Sequence, residues 1–180
     1  MTRYVALLRG INVNGITITM APLADLFREL GYTGVKTVLA SGNVLFDTDT
    51  GTDTEPDAAA IKSRIEAALS ETFGYRAWIV LRDVETLARI ARDYPFEADR
   101  DGWHPYVVFG SDDAVLAELA AAADGLDPAD ERVSAGDGVL YWEVRRAVGI
   151  TSPFSKLSGK TRYRSSTTTR NLRTLHRLLG

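Results

Sequence analysis

Apolar and polar positions fall into runs of distinct period along this chain. Tyr4-Val5-Ala6-Leu7-Leu8 is continuously apolar, which predicts a strand covered on both faces. A polar loop follows, Arg9-Gly10-Ile11-Asn12-Val13-Asn14-Gly15. Met20, Leu23, Leu26, Phe27 and Leu30 then recur at helical spacing, with Gly31 where a C-terminal cap belongs. Two β-rich runs, 35–40 and 43–47, are separated by Ser41-Gly42 and read as a tight hairpin. Residues 48–56 form a polar linker without periodicity. Ile61, Ile65, Leu69 and Phe73 mark one face of a second helix closed by Gly74, and residues 77–81 supply another apolar strand. The order strand, helix, hairpin, helix, strand is the split βαβ pattern of ferredoxin-like folds.

The pattern then partly repeats. Residues 83–92 read as a helix, 94–105 as an irregular stretch, 106–109 as a strand and 112–123 as a helix. Residues 131–135 and 139–144 pair across Gly136-Asp137-Gly138. Ser152-Pro153 predicts a helix start, serine as cap and proline in the first turn. Residues 169–179 read as a final helix, which leaves the second half without an obvious closing strand. The expected class is therefore α+β: two associated ferredoxin-like subdomains, 1–82 and 83–180, with mixed or antiparallel sheets and helices packed on them.

Composition narrows the chemistry. There is no cysteine, which excludes disulfides, iron–sulfur clusters and thiolate zinc sites, and only two histidines, His104 and His176. No apolar window is long enough to span a membrane and no signal-peptide pattern opens the chain, so a cytoplasmic protein without a membrane partner is expected. No cofactor is implied. The net charge of −3 hides a sharp division: residues 1–144 carry −12, whereas residues 145–180 hold nine bases, no acid and a charge of +9. Such asymmetry points to an anionic partner or to docking on the acidic body.

The candidate binding groups are polar loops and basic side chains. The Arg9 loop leaves an expected central strand, where exposed amides and an arginine fork suit a phosphate or carboxylate; a turn's geometry alone would use the same glycines and asparagines. Ser41-Gly42-Asn43 fits turn chemistry. Arg170, Arg173 and Arg177, three and four apart, would share one face of the final helix. Gly159-Lys160-Thr161 lacks the earlier glycine of a phosphate-binding P-loop, because position 154 is Phe154. No catalytic triad can be assembled, His104 and His176 read as boundary or surface residues, and the tryptophans Trp78, Trp103 and Trp142 read as packing.

Together, Tyr4 to Val13, the Met20 helix, Ser41-Gly42-Asn43-Val44 and Thr168-Thr169-Arg170-Asn171 resemble the bacterial domain-of-unknown-function family 1697. The resemblance implies a cytoplasmic α+β protein of two related subdomains, without an established activity. It also implies recurrent polar positions at Arg9, Gly10, Asn12, Ser41, Gly42, Asn43, Ser155, Lys156, Thr169, Arg170 and Asn171. The expected function is binding of an anionic ligand (a nucleotide, a phosphorylated metabolite or nucleic acid), with Arg9, Lys156, Arg170 and Arg173 on the anion and Asn12, Ser41 and Asn43 orienting it. A self-association module and a phosphoryl- or acyl-transfer enzyme remain as alternatives.

Overall fold

The computed structural model describes residues 1–12, 15–49 and 57–180. Val13, Asn14 and residues 50–56, which make up most of the expected linker, lie outside the described residues. The chain divides into two compact units, Met1–Leu87 with Arg177–Gly180, and Ala88–His176.

The first unit contains β1 (Thr2–Leu8), α1 (Met20–Glu29), β2 (Thr33–Thr37), β3 (Asn43–Thr48), α2 (Ala58–Phe73) and β4 (Ile79–Asp83), and α3 (Val84–Arg92) begins in it. Its sheet has the order β2-β3-β1-β4, with every neighbouring pair antiparallel. β1 therefore runs parallel to β2 across β3, and β3 parallel to β4 across β1. Each parallel pair is joined by one helix, so α1 and α2 lie against the same face of the sheet.

Alternation along the strands decides what meets those helices. Tyr4, Ala6 and Leu8 share their face with Val44, Phe46, Ile79 and Leu81, and pack with Leu23, Phe27, Ile65 and Leu69 of the helices. Burying each large side chain is worth roughly 1.5–3 kcal/mol. Val5, Leu7, Leu45 and Val80 on the other face are also buried, as the unbroken apolar run predicts. Local signals fix the helix ends. The Asp57 side chain accepts the Ala59 amide at 2.9 Å, and Gly74 takes φ +68° after α2. Lys62 then ties α2 to β4, donating to the Ile79 carbonyl at 2.8 Å while pairing with Glu66.

The second unit contains β5 (Trp103–Gly110), α4 (Asp113–Ala122), β6 (Glu131–Ala135), β7 (Val139–Arg145), α5 (Pro153–Ser158), α6 (Thr161–Arg164) and β8 (Thr167–Asn171), followed by α7 (Leu172–Leu179). Its sheet order, β6-β7-β5-β8, repeats the first, again with antiparallel neighbours. Val108, Leu140, Trp142 and Val144 pack on Leu116, Leu119 and Phe154 of the helices.

Two sequence expectations are corrected. Residues 167–171 form the closing strand β8 rather than a helix start, so the second sheet is complete and Arg170 shares no helix face with Arg173. The connection between β2 and β3 spans residues 38–42 rather than a two-residue turn. Asn43 is the cause: fully buried, it donates to the Val38 carbonyl at 2.7 Å and to Ser41 Oγ at 2.9 Å, which holds a wider loop closed. Among the described residues, no helix is long and apolar enough to cross a membrane.

Candidate functional site

In the first unit, six of the expected site residues meet at one end of the sheet. Arg9, Gly10 and Asn12 follow β1; Ser41, Gly42 and Asn43 lead into β3. Asn12, at φ +56°, joins the two loops: its side chain donates to the Ala40 carbonyl and accepts the Ile18 amide at 3.0 Å. The Leu8 amide donates to the Gly42 carbonyl at 2.8 Å, and the Arg9 amide to the Trp78 carbonyl at 3.1 Å. Side-chain hydrogen bonds thus tie Asn12 to Ala40 and Ile18, and Asn43 to Val38, at the end of the sheet where Gly10, Asn12 and Ser41 are exposed.

Leu39 interrupts this order. It takes φ +61° while its side chain is 43 % exposed, a conformation that is uncommon for a branched residue and unrewarded here by burial. Leu39→Gly is expected to raise stability by about 0.5 kcal/mol, relief of left-handed strain exceeding the added freedom of the unfolded chain. Urea denaturation midpoints of the two proteins check this; a lower midpoint for the variant would mean that Leu39 makes a contact the fold needs.

In the second unit the expected residues separate. β8 pairs Thr169 with Val108 and Asn171 with Tyr106, which puts both on the sheet face covered by α4 and α5. Arg170 pairs with Val107 and lies on the opposite face, 7 % exposed. It donates to Thr168 Oγ1 at 2.8 Å and to the Thr169 carbonyl at 3.1 Å, and burial lowers its pKa to about 10. Ser155 and Lys156 lie on α5, which packs through Phe154 against the Thr169 face. Lys156 and Arg170 therefore stand on opposite sides of one sheet. The predicted cap is present, Ser152 Oγ accepting the Ser155 amide at 3.1 Å. Asn171 caps α7 by accepting the Arg173 amide at 2.9 Å, which sets Arg173 in the first helical turn with its side chain exposed.

There the charge of Arg173 acts, with that of Arg146, on a residue that sequence reasoning did not select, His104. His104 opens β5 on the same face as Tyr106, their rings 5.8 Å apart. Arg146 follows β7, its amide donating to the Gly102 carbonyl at 2.7 Å. The His104 pKa is held below the ordinary 6.5, first by burial and then by the positive charges of Arg146 and Arg173. Neither guanidinium forms an ion pair with any described residue. No spacing in the sequence signals this cluster, because the register of β5 against β7 creates it, His104 opposite Val144.

A depressed imidazole binds its proton less readily in the folded than in the unfolded state. Folding stability from His104 is therefore complete above pH 6.5 and falls as the pH drops through the lower folded value. Among the described residues no group of three His, Asp or Glu side chains is placed to hold a metal ion.

Two α+β units, each a four-stranded antiparallel sheet under helices, define this class of protein by architecture. The chain belongs to the family described as "Protein of unknown function (DUF1697)", which matches residues 1–141. Among solved structures it is similar to the conserved bacterial protein SP0830 from Streptococcus pneumoniae, at 24% identity and a TM-score of 0.77, over 98% of this chain and 96% of that one. No curated protein matches the chain.

Proposed function

We propose that the protein binds a small phosphorylated metabolite, with Arg146, Arg173 and His104 holding the phosphate and Asn171 beside them. The observation that carries this reading is that the positive charges of Arg146 and Arg173 both act on the His104 imidazole, while neither arginine pairs with a carboxylate of the described residues. Like charges brought together in a partly dry setting raise the free energy, and a bound dianion removes that cost. Arg173, in the first turn of α7, also faces the unfavourable end of the helix dipole, which an anion offsets. Arg9, Gly10, Asn12, Ser41, Gly42 and Asn43, at one end of the first sheet, supply a second set of polar groups; Lys156, Ser155 and Thr169 add a basic and hydroxyl-bearing surface to the second unit. Each unit has the strand order of a ferredoxin-like sheet. Such a ligand fits a cytoplasmic protein, because charge confines phosphorylated metabolites to that compartment.

A small ligand is favoured over nucleic acid because the body of the chain, residues 1–144, is strongly acidic and repels an extended polyanion. One observation supports the docking alternative. Arg145 pairs with Asp130 at 3.2 Å and Arg162 with Glu118 at 2.6 Å, so part of the basic segment already rests on the acidic body.

Titrating His104 by NMR with inorganic phosphate tests the reading. Phosphate is expected to raise the His104 pKa, and Arg173→Gln to raise it without phosphate while weakening phosphate binding about tenfold. Arg28→Gln, at an exposed pair with Asp25 in the first unit, should change neither. A His104 titration indifferent to phosphate would overturn the assignment.

A further inference from the structure

A second place in the molecule has the form of a ligand site, in the first unit and independent of the basic segment. The chain leaves α1 through Leu30-Gly31-Tyr32, and this turn, the end of β3 at Thr48-Asp49 and Ala60, Ile61 and Arg64 of α2 line an open cavity of about 310 Å³. That volume lies at the lower end of the range for small-molecule sites. Leu30, Tyr32 and Ile61 give it an apolar interior. Tyr32 cannot swing away, because its ring packs 4.6 Å from Phe46 and 6.2 Å from Phe27.

The rim carries opposite charges that do not meet. Arg64 of α2 stands over the Tyr32 ring, 5.9 Å from its centre, and reaches the phenol hydroxyl. Asp49, just past β3, lines the same cavity. Both are exposed, yet neither forms an ion pair with the other or with any described residue. The tyrosine contact orients Arg64 without neutralising it. An anion alone would leave Asp49 unanswered, and a cation would leave Arg64. A molecule carrying both charges answers both, and its apolar remainder fills the interior.

We propose that this cavity binds a free amino acid with an apolar side chain, its carboxylate on Arg64, its ammonium on Asp49 and its side chain against Leu30, Tyr32 and Ile61. The carboxylate receives the planar donor fork of the guanidinium, and Asp49 accepts from the ammonium. Selectivity follows from the pairing: an analogue that lacks either charge leaves one rim group without a partner.

Calorimetry and amide chemical shifts with L-leucine, isocaproate and isoamylamine as probes test this. L-leucine should bind saturably at millimolar concentration and shift the amides of Gly31, Tyr32, Asp49 and Ala60. Isocaproate, which lacks the ammonium, and isoamylamine, which lacks the carboxylate, should each bind about tenfold more weakly. Arg64→Gln should abolish the preference for L-leucine over isoamylamine, and Asp49→Asn the preference over isocaproate. Both residues are exposed, so the variants should keep the wild-type thermal midpoint, and a matching midpoint makes the comparison valid. Equal binding of all three probes would show an apolar groove without charge recognition and overturn the proposal. So would the absence of binding at millimolar concentration, or shifts confined to other residues. Phosphate titration of His104 is unaffected by either result, so this proposal and the phosphate reading fail separately.

Discussion

Replacing Glu131 with glutamine is expected to destabilise the protein by about 3 kcal/mol. Glu131 opens β6 and is 1 % exposed. One carboxylate oxygen accepts the Phe154 amide at 3.0 Å and the other the Trp142 indole N–H at 3.1 Å. Both partners are buried donors and both need an acceptor. Glutamine presents one oxygen and one NH2, so one donor is left facing a donor in the dry interior. Glu131→Ala should cost more, because it removes both acceptors and leaves a cavity beneath α5. For a chain of this length the glutamine variant should melt roughly 6–12 °C below wild type, followed by circular dichroism at neutral pH. A midpoint within about 2 °C of wild type would mean that the carboxylate does not seat α5. Because α5 carries Ser155 and Lys156, the same change should also loosen that basic surface.

The second large effect is expected at Gly42. A methyl group there would stand 2.6 Å from Ile11 Cδ1 and 2.9 Å from Leu8 Cβ, at φ +79°. The Ile11 methyl lies at the end of a flexible side chain and can retreat. Leu8 Cβ is attached directly to β1 and cannot. Gly42→Ala should therefore cost about 3 kcal/mol, partly from the left-handed backbone and partly from forcing the two loops apart. Gly74→Ala is the matching control: φ is +68°, but nothing lies within 4 Å of the added carbon, so only the dihedral term of about 1 kcal/mol applies. Denaturant unfolding of the pair checks the difference. Equal losses would show that the loop contact adds nothing beyond backbone strain.

Much of the fold is legible along the chain because its signals are local. The Tyr4–Leu8 run, the helical spacing of Leu23, Leu26 and Phe27, the Ser152-Pro153 start and the glycine after α2 each act within a few residues of the structure they specify. β8 escapes because Thr-Thr-Thr-Arg-Asn has no alternating pattern, and Arg170 with Arg173 and Arg177 imitates a helix face. Its pairing with β5 supplies what the residues do not encode locally. Asn43 reads as a turn residue, and only burial shows that it organises a wider loop. The cluster at His104 is further still from view. Arg146 follows β7 and Arg173 follows β8, and sheet register alone brings both to the start of β5.

The sheet order has a consequence for synthesis. In each unit the first strand takes an inner place, and one of its flanks is filled by the last strand: Leu8 pairs with Ile79, and Tyr106 with Asn171. A growing chain that has emerged only through β7 holds three strands of the second sheet, with one side of β5 open along Val107, Val108 and Phe109. Such an apolar strand edge invites pairing with a neighbouring nascent chain. The threonine-rich β8, least strand-like of the eight to the eye, is the segment that ends this exposure.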